Sequence, residues 1–126
     1  MDISKIKKKI RFLERQRQKK LTYLLNPKDM IAGSIYETYK KCGNKNCRCA
    51  KGDLHGPFFY LSRKEDGVTK LTFVRRADED IIEEKAKNYR KYTKAVASLS
   101  KLNSKIYDNI KKIKEVKTKN YEPGKV

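Results

Sequence analysis

Pro57-Phe58-Phe59-Tyr60-Leu61-Ser62-Arg63, then Glu65-Asp66-Gly67, then Val68-Thr69-Lys70-Leu71-Thr72-Phe73-Val74-Arg75 is the stretch that decides the fold of this chain. Both flanks are rich in β-branched and aromatic residues, and Asp-Gly between them tolerates the positive φ of a tight turn, so the segment reads as a β-hairpin. Upstream, Gly33-Ser34-Ile35-Tyr36-Glu37-Thr38-Tyr39-Lys40 has the same character. A three-stranded antiparallel sheet is the simplest arrangement of these runs.

The connection between the first two strands holds every cysteine and the only histidine of the chain. It runs Lys41-Cys42-Gly43-Asn44-Lys45-Asn46-Cys47-Arg48-Cys49-Ala50-Lys51-Gly52-Asp53-Leu54-His55-Gly56-Pro57. The C-x4-C-x-C-x5-H pattern supplies three thiolates and an imidazole, the ligand set of a closed tetrahedral zinc site, and Gly43, Gly52 and Gly56 let the backbone turn around a metal. Cys42, Cys47, Cys49 and His55 are therefore the expected ligands of a structural Zn2+. Filling all four positions leaves none for water or substrate. The C-x-C step is tighter than the usual finger spacing, so free thiols around a satisfied histidine, or redox and disulfide chemistry, stand as the other readings.

Outside the sheet the apolar period changes from two to about 3.6. Ile3, Ile6, Ile10 and Leu13, with Leu21, Leu24 and Leu25 beyond a polar interval, predict an amphipathic basic helix over 1–25, capped by Asp2 or Ser4 and stopped at Asn26-Pro27. Asp78, Glu79 and Asp80 open a longer helix over 78–117, in which Tyr89, Tyr92, Val96, Leu99, Asn103, Ile106, Ile110 and Ile113 repeat with coiled-coil spacing. Asn103 is the polar member that would fix register. Because the first helix is too short to cover the second, the surplus turns predict a homodimer through the C-terminal helix. The expected fold is α+β: one domain over 1–117, with a zinc/β module at 33–76 between the helices, and a disordered tail at 118–126.

Charge sets the functional expectation. The 126 residues carry 33 Lys and Arg against 15 Asp and Glu, a net charge of +18, with 37% hydrophobic content. Residues 1–25, 26–77 and 78–126 carry +7, +6 and +5, so no segment is neutral. Such an excess repels itself unless an anion lies against it, and nucleic acid is the usual one. Lys7, Lys8, Arg11 and Arg15 represent the first helix, Lys40, Lys41, Lys45, Arg48 and Lys51 the cysteine loop, and Arg63, Lys64, Arg75 and Arg76 the hairpin, which together with the loop would present one basic face. Duplex DNA is placed ahead of RNA. Tyr36, Tyr39, Phe58, Phe59 and Tyr60 have the shape to stack on unpaired bases, but at least four of the five are assigned to sheet core.

No apolar run approaches the roughly 18 residues of a membrane span, and the N-terminus lacks a signal-peptide core, so a cytoplasmic protein without membrane contact is expected. No nucleophile with an orienting partner, paired carboxylates or Gly-rich phosphate loop is legible, and no enzyme activity is expected. The competing class is a coiled-coil interaction module or inhibitor docking on an acidic partner of nucleic-acid machinery.

Through Gly33-Ser34-Ile35-Tyr36-Glu37, Lys41-Cys42-Gly43, Asn46-Cys47-Arg48-Cys49-Ala50, Leu54-His55-Gly56-Pro57-Phe58-Phe59-Tyr60-Leu61-Ser62-Arg63 and Asn88-Tyr89-Arg90-Lys91-Tyr92, the chain resembles a family of short prokaryotic and viral proteins of unknown function, often encoded near transposases and other mobile elements. The resemblance covers about residues 33–92 and leaves the N-terminal helix outside. It implies an accessory role in a mobile element or virus, with Cys42, Cys47, Cys49 and His55 as motif residues and nothing catalytic.

Overall fold

The computed structural model describes residues 2–41, 43–47, 52 and 54–125. Along the chain come helix α1 (Ile3–Leu24), strands β1 (Ser34–Lys40), β2 (His55–Glu65) and β3 (Val68–Val74), a single 3-10 turn at Arg76–Asp78, and helix α2 (Glu79–Lys117). The order and class are those read from the periodicity. The described chain falls into two compact units, residues 1–27 with 93–126, and residues 28–92. The helix α2 contributes to both.

In the first unit, α1 starts where Asp2 accepts a hydrogen bond from the Ser4 backbone N–H at 2.9 Å, the satisfied N-cap of a helix whose first amides have no internal partner. It stops where the Asn26 side-chain amide donates to the Thr22 carbonyl at 2.8 Å, one residue before Pro27. Its buried positions Ile6, Leu13 and Leu24 continue through half-buried Arg17, so the stripe crosses the polar interval instead of lapsing there.

The facing stripe of α2 differs from the expected seam by one flank. The column Leu99, Ile106 and Ile113 is half-buried as read, but the burial beside it runs through Ala95, Leu102 and Asn109, whereas Val96 and Ile110 are exposed. A large side chain marks a seam in sequence, yet here the small Ala95 is 5% exposed while its large neighbour Val96 is 48% exposed. Buried Asn109 satisfies its amide by donating to the Lys105 carbonyl at 2.7 Å. Asn103 is exposed, and its Oδ1 accepts a 2.7 Å hydrogen bond from Arg17 Nε of α1. That bond is made within the chain.

In the second unit the three strands lie in the order β1-β2-β3, antiparallel throughout. Asp66 and Gly67, with φ of 53° and 79°, close the hairpin as a two-residue turn that pairs Glu65 with Val68. From that turn the register follows: Tyr36 opposite Tyr60 opposite Phe73, and Glu37 opposite Phe59 opposite Val74. At the strand entry, a Cβ on Gly33 would stand 2.7 Å from the Ser62 carbonyl oxygen, and φ of +132° is a conformation that favours glycine.

The first turns of α2 belong to this unit. Ala86 is 0% exposed, the Ile31 N–H donates to the Lys85 carbonyl at 3.1 Å, and the Asn88 amide donates to the Asp29 carbonyl at 3.1 Å. These bonds tie the turns to the chain's own linker, while Ile81 stays 54% exposed. Helix length therefore no longer argues for a second copy.

Candidate metal loop and nucleic-acid interface

The loop after β1 opens on an Asn-centred turn: the Asn46 N–H donates to Asn44 Oδ1 at 3.0 Å and the Cys47 N–H to the Asn44 carbonyl at 3.2 Å. This turn aims Cys47 at the first residue of β2, and Cys47 Sγ lies 2.8 Å from His55 Nε2. Two of the four expected ligands thus converge. Bonds of about 2.3 Å to sulfur and 2.05 Å to nitrogen at a tetrahedral angle set the two atoms about 3.5 Å apart, so a shift of under about 1 Å would open the pair around zinc. Cys42 and Cys49 lie outside the described residues, as do Arg48 and Lys51. Among the described residues no cluster of three or more metal-ligating side chains occurs.

His55 is held by the strand register, paired with Lys40 across an irregularity between Thr38 and Lys40. The adjoining Gly56, at φ +145°, packs so closely on Tyr39 that a Cβ would come within 2.7 Å of its ring. The Tyr39 hydroxyl donates to Glu37 Oε1 at 3.0 Å, and this bond, then the carboxylate charge, raises the phenol above its usual value and keeps it neutral.

The expected basic residues that are described are all exposed: Lys7, Lys8, Arg11 and Arg15 in the first unit, and Lys40, Lys41, Lys45, Arg63, Lys64, Arg75 and Arg76 in the second. At 3.6 residues per turn, Lys7, Lys8, Arg11 and Arg15 fall within an arc of about 100°. That arc avoids Ile6 and Leu13. None of the four is in an ion pair among the described residues; the one acid inside α1, Glu14, faces Arg17 at 3.6 Å.

The hairpin cations do not share one face. Strand alternation puts Arg63 and Lys70 on the side of Glu65, whose carboxylate takes both at 3.1 Å, while Lys64 points to the opposite side. Arg75 pairs with Asp78 at 3.0 Å. Lys40 places its ammonium 4.7 Å from the Tyr60 ring centroid and donates to the Tyr60 hydroxyl at 2.6 Å.

The aromatics depart further from expectation. Tyr36 and Tyr39 are exposed, Phe58, Phe59 and Tyr60 are half-buried, and none of the five is fully buried. Phe73, which the sequence reading left among the strand residues, is 53% exposed and meets Tyr60 edge-on at 5.6 Å. Counting outward from Asp66-Gly67 pairs it with Tyr60, so the turn held the signal.

These features define a small α+β protein in which a sheet and its cysteine-histidine loop are inserted between two basic helices. The sequence pattern of the family described as Domain of unknown function (DUF6788) matches residues 3–84, well over half the chain, and this chain belongs to that family. The match takes in α1, which the 33–92 resemblance left outside, and ends at residue 84. No curated protein and no solved structure matches the chain. No helix of the described residues is long and apolar enough to cross a membrane.

Proposed function

We propose that this protein binds nucleic acid as an accessory or regulatory factor, its central loop pinned by one structural zinc ion on Cys42, Cys47, Cys49 and His55. The observation that carries the binding is the arc of Lys7, Lys8, Arg11 and Arg15 on α1: exposed, on one side and, among the described residues, without acidic partners. Four unneutralised cations so arranged repel one another, and a phosphate backbone laid along them relieves this while releasing its own counterions. The convergence of Cys47 and His55 supports the zinc. The mobile-element or viral setting rests on the sequence resemblance.

A second reading is favoured by one feature of α2. Val96, Tyr107 and Ile110 are about half exposed or more and fall on one flank, a surface suited to a helical protein partner, including a second copy. Titrating a labelled random duplex against salt separates the readings. Six phosphate contacts predict a loss of about a thousandfold in affinity between about 50 and 200 mM salt. No binding near about 100 mM would leave the protein-partner reading standing.

A further inference from the structure

One face of the sheet is built unlike the other. Tyr36, Tyr60 and Phe73 form a row in register across all three strands, with Tyr36 and Phe73 both 53% exposed. Alternation puts the sheet's two acids, Glu37 and Glu65, on the opposite face, with buried Val74. The aromatic face carries no acid. Lys64 stands toward its hairpin end, and Lys40 lies over Tyr60 from the other.

We infer that this face takes an unpaired nucleic-acid strand, with bases stacked on Tyr36 and Phe73 and phosphates met by Lys40 and Lys64. The inference rests on the proposed nucleic-acid binding and names its site and its substrate. Half-exposed rings in water are a poor way to stabilise a sheet, but every base has a π-face that they accept. Duplex bases are already stacked on one another and offer a flat row of rings nothing to stack on. The charge argues against the other occupants: a second copy laid face to face would set Lys40 and Lys64 against the same lysines in a chain that already carries +18. The Lys40 ammonium rests on Tyr60, donating to its hydroxyl at 2.6 Å on the same face.

The test compares an oligo(dT) of about 12 nucleotides with a duplex of equal length, using the full chain and its Phe73→Leu and Tyr36→Leu variants. Stacking is worth about 5- to 140-fold in affinity per ring. Each variant is expected to weaken oligo(dT) by that factor, leaving the duplex and the salt slope unchanged. The chain has no tryptophan, so Phe73→Trp adds a single reporter whose fluorescence oligo(dT) should quench. Equal weakening of both ligands, or an unquenched reporter in a protein that binds oligo(dT), overturns the stacking site while nucleic-acid binding stands. A parent dimer that Phe73→Leu dissociates, with oligo(dT) affinity unmoved, overturns it in favour of self-association. Failure of the parent to bind either ligand overturns the proposed function itself.

Discussion

Neutralising the cationic arc of α1 tests the electrostatic argument where it can be quantified. In the variant Lys7→Gln, Lys8→Gln, Arg11→Gln and Arg15→Gln the net charge falls from +18 to +14. The helix should survive, because glutamine has nearly the helix propensity of the residues it replaces, all four positions are exposed, and the buried stripe through Ile6 and Leu13 is untouched. Each duplex phosphate contact adds about 0.9 to the slope of log affinity against log salt, so four contacts remove about 3.6 from that slope. At about 0.1 M salt this is a loss of about 4,000-fold if all four residues meet phosphates, and about eightfold if only one does. Fluorescence anisotropy over several salt concentrations reads slope and affinity together, with circular dichroism as the check on folding. A slope equal to the parent's would refute the reasoning, whatever the affinity at a single salt concentration.

Three further outcomes follow from the geometry. Protein purified without a metal-binding tag should carry one equivalent of zinc, and Cys47→Ser or His55→Gln should lose the metal and lower Tm; metal-free protein of unchanged Tm would remove the zinc clamp. Gly33→Ala drives a Cβ to 2.7 Å from the Ser62 carbonyl oxygen at φ +132°, and should destabilise by about 3 kcal/mol, a fall in Tm on the order of 10 °C. A near-parental Tm would contradict the strand entry described here. For Arg17 and Asn103, a double-mutant cycle with Arg17→Met and Asn103→Ala should give a coupling of about 0.5–1 kcal/mol: the bond is charge-assisted at 2.7 Å, but the Arg17 side chain is 33% exposed and Glu14 competes for it.

The elements were legible because each carries its own periodicity, and because Asp66-Gly67, Asp2 and Asn26-Pro27 mark their ends with specific chemistry. What escaped was the direction in which faces point. Val96 and Ile110 look like seam residues by size, yet burial went to Ala95 and Asn109, since the pattern of one helix does not say which of its flanks the rest of the chain covers. Arg17 gave no apolar signal and was read as a gap; only its bond to Asn103 shows that the stripe passes through it. The hairpin cations merged into one basic face when counted along the chain. The pleat divides them, giving Arg63 and Lys70 to Glu65 and Lys64 to the aromatic row.

Cys47 and His55 add something that neither the metal pattern nor the charge count contains. His55 begins β2 and is the register partner of Lys40, while Lys40 carries its ammonium to the ring and hydroxyl of Tyr60. Whatever fixes His55 therefore also fixes the end of the ladder from which that cation reaches the aromatic face. A three-stranded sheet with few fully buried residues has little packing with which to hold such an end in register, since Val74 is its one fully buried strand residue. Zinc held by the proposed ligand set of the β1–β2 connection would supply that constraint. With zinc bound as proposed, the loop's role would be structural, and its consequence for function would be the placement of Lys40 beside the row formed by Tyr36, Tyr60 and Phe73.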